Sequence, residues 1–246
     1  MAGNWKMYKT PQETATFFER FKPLVNGLDQ CDIVIFPPAL DIAAAVAATN
    51  GTKIGIGGQN IYWTKEGAFT GEVSAEMLVA AGARWVLVGH SERRHVVTSE
   101  SDADVLKKTQ AALAAGLTPV VCVGERLEEY KAGKTNEVLV KQFAGGLAGL
   151  TEEQFAQVVV AYEPVWAIGT GQTATPEIAS AAHKLIRQEA DKRFGDQAAA
   201  SLRILYGGSV KPDNIAGLMK ESELDGTLVG GASLDPDSFS KIVKGA

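Results

Sequence analysis

Apolar residues along this chain fall into two alternating patterns. The first is a short run with few charges, mostly rich in Val, Ile and Leu, at residues 2–5, 33–36, 54–58, 85–89, 118–123, 158–162, 203–206 and 226–229. Such runs read as strands buried on both faces, the kind that parallel sheets contain. The second has helical spacing and follows nearly every run. Residues 11–25 carry Phe17, Phe18, Phe21, Leu24 and Val25, and residues 101–115 carry Val105, Leu106 and Leu113 with Lys107 and Lys108 left to solvent. Residues 135–147 carry Val138, Leu139 and Phe143; residues 39–48 are alanine-rich, and 74–81 is short. Residues 176–194, 212–219 and 236–243 each begin on proline, which suits the first helical position because the N–H it lacks would have no partner there.

Strand and helix therefore alternate eight times over 246 residues, about 31 per unit, which predicts a single α/β domain, residues 1–246, folded as a closed eight-stranded parallel (β/α)8 barrel. A doubly wound open sheet is the competing architecture. It would carry a glycine-rich phosphate turn after its first strand, where this chain has Lys6-Met7-Tyr8-Lys9.

Barrel enzymes gather their reactive groups at the carboxyl ends of the strands. Here those ends carry Asn4 and Lys6, His90, Glu163, Gly207-Gly208-Ser209, and Gly230-Gly231. The most informative stretch is 158–171. A buried strand runs into Glu163, Pro164 stops it, and an apolar segment, Val165-Trp166-Ala167-Ile168, ends in Gly169 and Gly171. This reads as a base on a rigid mount with a hydrophobic lid, whose cover is expected to raise the carboxyl pKa. A base of that kind can take a proton from carbon beside a carbonyl. The oxygen charge that develops needs donors placed in advance, and His90, Lys6 and Asn4 are available. The glycine pairs, with Ser209, leave backbone N–H groups bare for a phosphate. Plainer readings stay open at this point: a buried ion pair for Glu163, a core histidine for His90, a surface lysine for Lys6 and tight turns for the glycines. His95 and His183 read as helix-face residues.

Composition narrows the partners. The formal net charge is −5, with 46% hydrophobic and 22% charged residues, which argues against nucleic acid as a general partner and leaves room for a local anion pocket. No apolar run approaches the ~18 residues of a membrane span, and the first residues lack the apolar core of a secretory signal. Cys31 and Cys122 are far apart in sequence and form no metal or redox spacing, which favours a reducing cytoplasm and no metal. Gly133-Lys134-Thr135 mimics the tail of a P-loop, but the motif's first glycine would fall at Glu128.

Four segments together resemble the triosephosphate isomerase family: Asn4-Trp5-Lys6-Met7, Gly89-His90-Ser91-Glu92-Arg93-Arg94, residues 161–171, and Tyr206-Gly207-Gly208-Ser209-Val210. The resemblance covers essentially the whole chain, in order. It implies a TIM barrel that interconverts dihydroxyacetone phosphate and D-glyceraldehyde 3-phosphate through an enediol, with no cofactor. Glu163 would move the proton. His90 would polarise the substrate oxygens, its imidazole kept neutral by the helix start after it, as is known of the family. Lys6 would offset substrate charge. Asn4, Trp5 and Lys6 would meet the substrate, and Gly169, Ser209, Gly230 and Gly231 would hold its phosphate. Ser91 would support Glu163 in the open state, Glu92 would pair with Lys6, and Cys122 would pack behind the carboxylate. The lid would comprise Pro164, Val165, Trp166, Ala167, Ile168, Gly169 and Thr170. A homodimer is implied too, with Thr70 on a loop reaching into the neighbouring subunit. One departure stands out: family members carry more residues ahead of the Asn-Trp-Lys segment. A truncated first strand, poor closure against the eighth strand and a mobile amino terminus are expected from it. Another phosphate-binding barrel enzyme, such as a sugar-phosphate epimerase or an aldolase, and a non-catalytic barrel remain the alternatives.

Overall fold

The computed structural model describes residues 1–147, 149–169 and 172–246. Eight parallel strands close on themselves in sequence order. They are β1 (Ala2–Asn4), β2 (Val34–Phe36), β3 (Gly55–Gly58), β4 (Trp85–Val88), β5 (Thr118–Val123), β6 (Val159–Tyr162), β7 (Arg203–Tyr206) and β8 (Gly226–Val229). The helices between them are α1 (Pro11–Val25), α2 (Ile42–Thr49), α3 (Ala75–Ala80), α4 (Asp102–Ala114), α5 (Leu127–Lys131), α6 (Thr135–Leu147), α7 (Glu152–Phe155), α8 (Pro176–Phe194), α9 (Asp196–Ser201), α10 (Ile215–Leu218) and α11 (Pro236–Lys244).

Alternation along each strand divides the core into two. Ala2, Val34, Phe36, Leu87, Val120, Cys122, Val159, Ala161, Leu205 and Leu228 point inward and fill the barrel. Their neighbours, such as Val121, Val160, Tyr162 and Ile204, point outward against the helices, where Phe17, Phe18, Phe21, Phe143 and Phe155 complete a second core. Both faces are dry, which is why the strands read as unbroken apolar runs. Helix starts follow their local signals. Thr10 caps α1 in a reciprocal box with Glu13, and Ser101 does the same for α4 with Asp104.

Two expectations need correction. The first concerns β1, which spans three residues but pairs on both sides: Ala2, Gly3 and Asn4 with Val34, Ile35 and Phe36, and Ala2 and Gly3 with Leu228 and Val229. Hydrogen bonds extend this seam beyond the strand, from Val34 N–H to the Met1 carbonyl at 2.9 Å and from Trp5 N–H to the Phe36 carbonyl at 3.0 Å. Met1 and Ala2 are buried. The barrel is thus closed and its first residues are held, because β2 is equally short and demands no longer partner. The second concerns helices. The pattern missed α5, α7 and α9, which at four to six residues are too short to show a period. Conversely, α10 begins only at Ile215, three residues after Pro212.

Candidate active site

Glu163 leaves the end of β6 with its N–H bonded to the Val123 carbonyl at 2.8 Å. The side chain is 2% exposed. Two glycines make room for it. A methyl group on Gly124 would lie 1.7 Å from the Glu163 carbonyl oxygen, and one on Gly207 would lie 2.8 Å from Glu163 Cγ. The carboxylate accepts the Ser91 N–H at 2.9 Å and faces His90 Nε2 at 2.9 Å, with Ser91 Oγ 3.5 Å away. The Cys122 thiol donates to it as well.

These contacts change the expected electrostatics. Burial pushes the Glu163 carboxyl upward, but the imidazole, the Ser91 amide and the thiol outweigh it, so the group sits below its ordinary value. The expectation of a raised pKa is therefore corrected for this resting arrangement: the apolar cover is real, yet the donors win. Burial depresses His90, and the Glu163 charge with its hydrogen bond overcomes that and raises it. His90 Nδ1 accepts the Glu92 N–H at 3.3 Å, at the start of a helical turn that continues into Arg93–Val97. A nitrogen that accepts an amide hydrogen carries no proton, which assigns the proton to Nε2, the side facing Glu163. Behind it, buried Arg94 ties β4 to β5 through the carbonyls of Gly89 (2.8 Å) and Cys122 (3.2 Å) and pairs with Asp102 at 2.7 Å.

Lys6 follows β1 in a left-handed backbone conformation, φ +52°. Its N–H donates to Asn4 Oδ1 at 3.0 Å, and its ammonium group lies 2.7 Å from Glu92 Oε1. Lys6, Asn4, His90 and Glu163 line a cavity of about 250 Å³. Gly169, Ser209, Gly230 and Gly231 line it too, joined by Gly208, Val210, Lys211 and Leu228. A cavity of this size suits a small metabolite, with glycines and titrating groups both in its wall.

Trp5 is not part of it. Alternation turns Asn4 into the barrel and Trp5 outward, where it is fully buried against Phe17 and Phe18 and donates Nε1–H to the Ser233 carbonyl at 3.1 Å. Its expected contact with substrate is corrected accordingly. The lid segment also divides. Ile168 and Gly169 reach the cavity, whereas Trp166 and Ala167 are buried in the scaffold within a 3-10 turn, Val165–Ala167. Trp166 donates Nε1–H to Glu125 at 2.8 Å, which also receives the Tyr162 hydroxyl at 3.1 Å, and Tyr130 of α5 stacks on the indole with centroids 4.2 Å apart. Thr170 lies outside the described residues. Thr70 is exposed and does not line the cavity. Sequence reasoning passed over Lys211, Glu125, Tyr130 and Arg94. Lys211 stands two residues after Ser209 and could have been found from that spacing; the others are joined to the site only by folding.

A closed (β/α)8 barrel that sets a buried glutamate against an imidazole, beside glycine-lined strand ends, suits proton transfer on a small phosphate. This constellation defines the class: an aldose–ketose isomerase barrel. The triosephosphate isomerase family model matches residues 1–246, and the chain belongs to that family. Among similar proteins, the triosephosphate isomerase of Solibacter usitatus is 61% identical, covering 99% of this chain and 97% of the relative. That of Symbiobacterium thermophilum is 50% identical, covering 100% and 96%. The crystal structure of triosephosphate isomerase from Bartonella henselae superposes with a TM-score of 0.90 at 40% identity, covering 100% of this chain and 97% of that one.

Proposed function

We infer that this protein interconverts dihydroxyacetone phosphate and D-glyceraldehyde 3-phosphate, and that Glu163 and His90 do the chemistry. The observation that carries this reading is the pair itself: a buried carboxylate 2.9 Å from an imidazole nitrogen, at the wall of a cavity that Ser209, Gly230 and Gly231 also line. Family membership disfavours the epimerase alternative.

Glu163 removes a proton from C1 of the ketone. The C–H electron pair becomes the C1–C2 double bond, and the carbonyl electrons move onto O2. Nε2–H of His90 and the Lys6 ammonium group stabilise that oxygen. O2 takes the proton from His90 Nε2, and O1–H gives its proton back to that nitrogen. The O1 electrons then form the C1 carbonyl as the C1–C2 double-bond pair takes the proton from Glu163 at C2, which completes the aldehyde, and the sequence runs equally in reverse. In the resting arrangement Ser91 and His90 hold the carboxylate down in pKa. Substrate oxygen takes over the His90 N–H, and displacement from Ser91 leaves burial as the dominant influence, which strengthens the base. Glu92 balances Lys6 until the dianionic substrate arrives. The phosphate lies against Gly169, Ser209, Gly230 and Gly231. Closure of the segment Pro164 to Gly169 excludes water and disfavours loss of phosphate from the enediol. No cofactor takes part in this scheme.

The active form is a homodimer. Met7, Tyr8, Leu40, Phe69, Met77, Val96 and Val97 are all exposed, and a subunit interface would cover apolar side chains of this kind. A second groove of about 320 Å³, lined by Met7, Gln59, Asn60 and Val97, lies against Asn4 and Lys6. It takes the partner's loop around Thr70. No helix among the described residues is long and apolar enough to cross a membrane, and the working compartment is the cytoplasm.

A coupled assay of glyceraldehyde 3-phosphate isomerisation tests the assignment. Glu163→Asp draws the base back by one methylene and should lower kcat by about 100-fold or more with little change in KM. Equal turnover in the two proteins would refute the role of Glu163.

A further inference from the structure

We propose that Gln59 is the positioning residue for Lys6: its side-chain amide holds the lysine backbone in the strained conformation that aims the ammonium group at the cavity. The proposal rests on the reading of Lys6 as the group that offsets substrate charge. A non-glycine residue at φ +52° persists only where its surroundings hold it there. Two side chains do so. Asn4 Oδ1 accepts the Lys6 N–H at 3.0 Å, and Gln59 Nε2 donates to the Lys6 carbonyl at 2.7 Å. The same nitrogen donates to the Phe36 carbonyl at 2.9 Å, which also receives the Trp5 N–H. One amide at the end of β3 therefore ties down the ends of β1 and β2.

The chemistry of the side chain fits the task closely. An amide NH2 offers two hydrogens diverging in one plane, enough for two carbonyls at once. A carboxylate of the same shape offers none, and a leucine fills the space without donating. Releasing the Lys6 carbonyl frees the following peptide to turn over. The backbone can then return to negative φ, which swings the side chain away from the cavity that it shares with His90 and Glu163.

A double-mutant cycle tests this. Wild type, Gln59→Leu, Lys6→Ala and the double variant are compared in two readouts: kcat, and the affinity for inorganic phosphate by calorimetry. Gln59→Leu should lower kcat about tenfold and weaken phosphate binding several-fold, since misplacing a charged group by an ångström has effects of that order. In the Lys6→Ala background the same substitution should change neither value, because its target is gone. Gln59→Glu, which keeps the shape and loses the donors, should copy Gln59→Leu and serves in its place if the leucine protein does not fold. Additive losses in the two backgrounds would show a general structural role and overturn the proposal. So would wild-type kcat in Gln59→Leu while Lys6→Ala is impaired. If Lys6→Ala itself matches wild type, the underlying reading of Lys6 fails, and the inference with it.

Discussion

Gly207→Ala is the sharpest test of how the catalytic carboxylate is placed. The backbone of Gly207 is not in the left-handed region, so alanine costs no backbone strain there. Its methyl group, however, would sit 2.8 Å from Glu163 Cγ and 3.2 Å from the Tyr162 carbonyl oxygen. The first contact is about 0.6 Å short of ordinary van der Waals separation. The other wall cannot give, because Gly207 N–H is itself bonded to that Tyr162 carbonyl at 2.7 Å. Glu163 must yield, and its carboxylate swings by an ångström or so at the end of the side chain. A displacement of that size should cost about 100-fold in kcat, while overpacking should cost about 1–3 kcal/mol of stability. Phosphate binding by Ser209, Gly230 and Gly231 should be nearly unchanged. Gly217→Ala is the control: a methyl group there meets nothing within 4 Å. The assay is steady-state isomerisation for kcat and KM, with urea denaturation alongside. A Gly207→Ala enzyme with wild-type kcat would refute the claim that this glycine sets the base.

Two further predictions concern the lid and pH. Removing the aromatic face beneath Trp166 with Tyr130→Ala deletes a stack worth about 0.5–1.5 kcal/mol; it should raise KM about two- to tenfold and increase the share of turnover lost as methylglyoxal and inorganic phosphate, and an unchanged product ratio would rule out a role in lid docking. His183 is fully buried, bonded through Nδ1 to the Glu223 carbonyl at 3.1 Å, and burial holds its pKa at about 4. Because the folded state resists protonation that the unfolded chain accepts near pH 6.5, stability present above that pH should fall by about 3 kcal/mol as the pH drops toward 4. The urea midpoint of His183→Phe should show a smaller decline over this window, and parallel curves for the two proteins would count against the assignment.

Much of this protein is legible along its chain. Parallel strands with both faces buried must be nearly all apolar, so β4, β5 and β6 announced themselves, and the βα alternation left little but a closed barrel. The placement rule for barrels then led to Asn4, Lys6, His90, Glu163 and Ser209 at the strand ends, and all of these line the cavity. Tertiary structure decided the rest. The side to which a residue next to a strand points depends on register, and register sent Trp5 into the outer core rather than toward substrate. The resting pKa of Glu163 turned on donors from β4 and β5, distant in sequence, which overcame the burial that the local pattern could foresee. Likewise, Gln59 reaches Lys6, and Tyr130 reaches Trp166, only once the barrel is closed. Short-range chemistry is written in neighbouring residues, but a hydrogen bond between strand ends exists only after the chain has brought them within 3 Å.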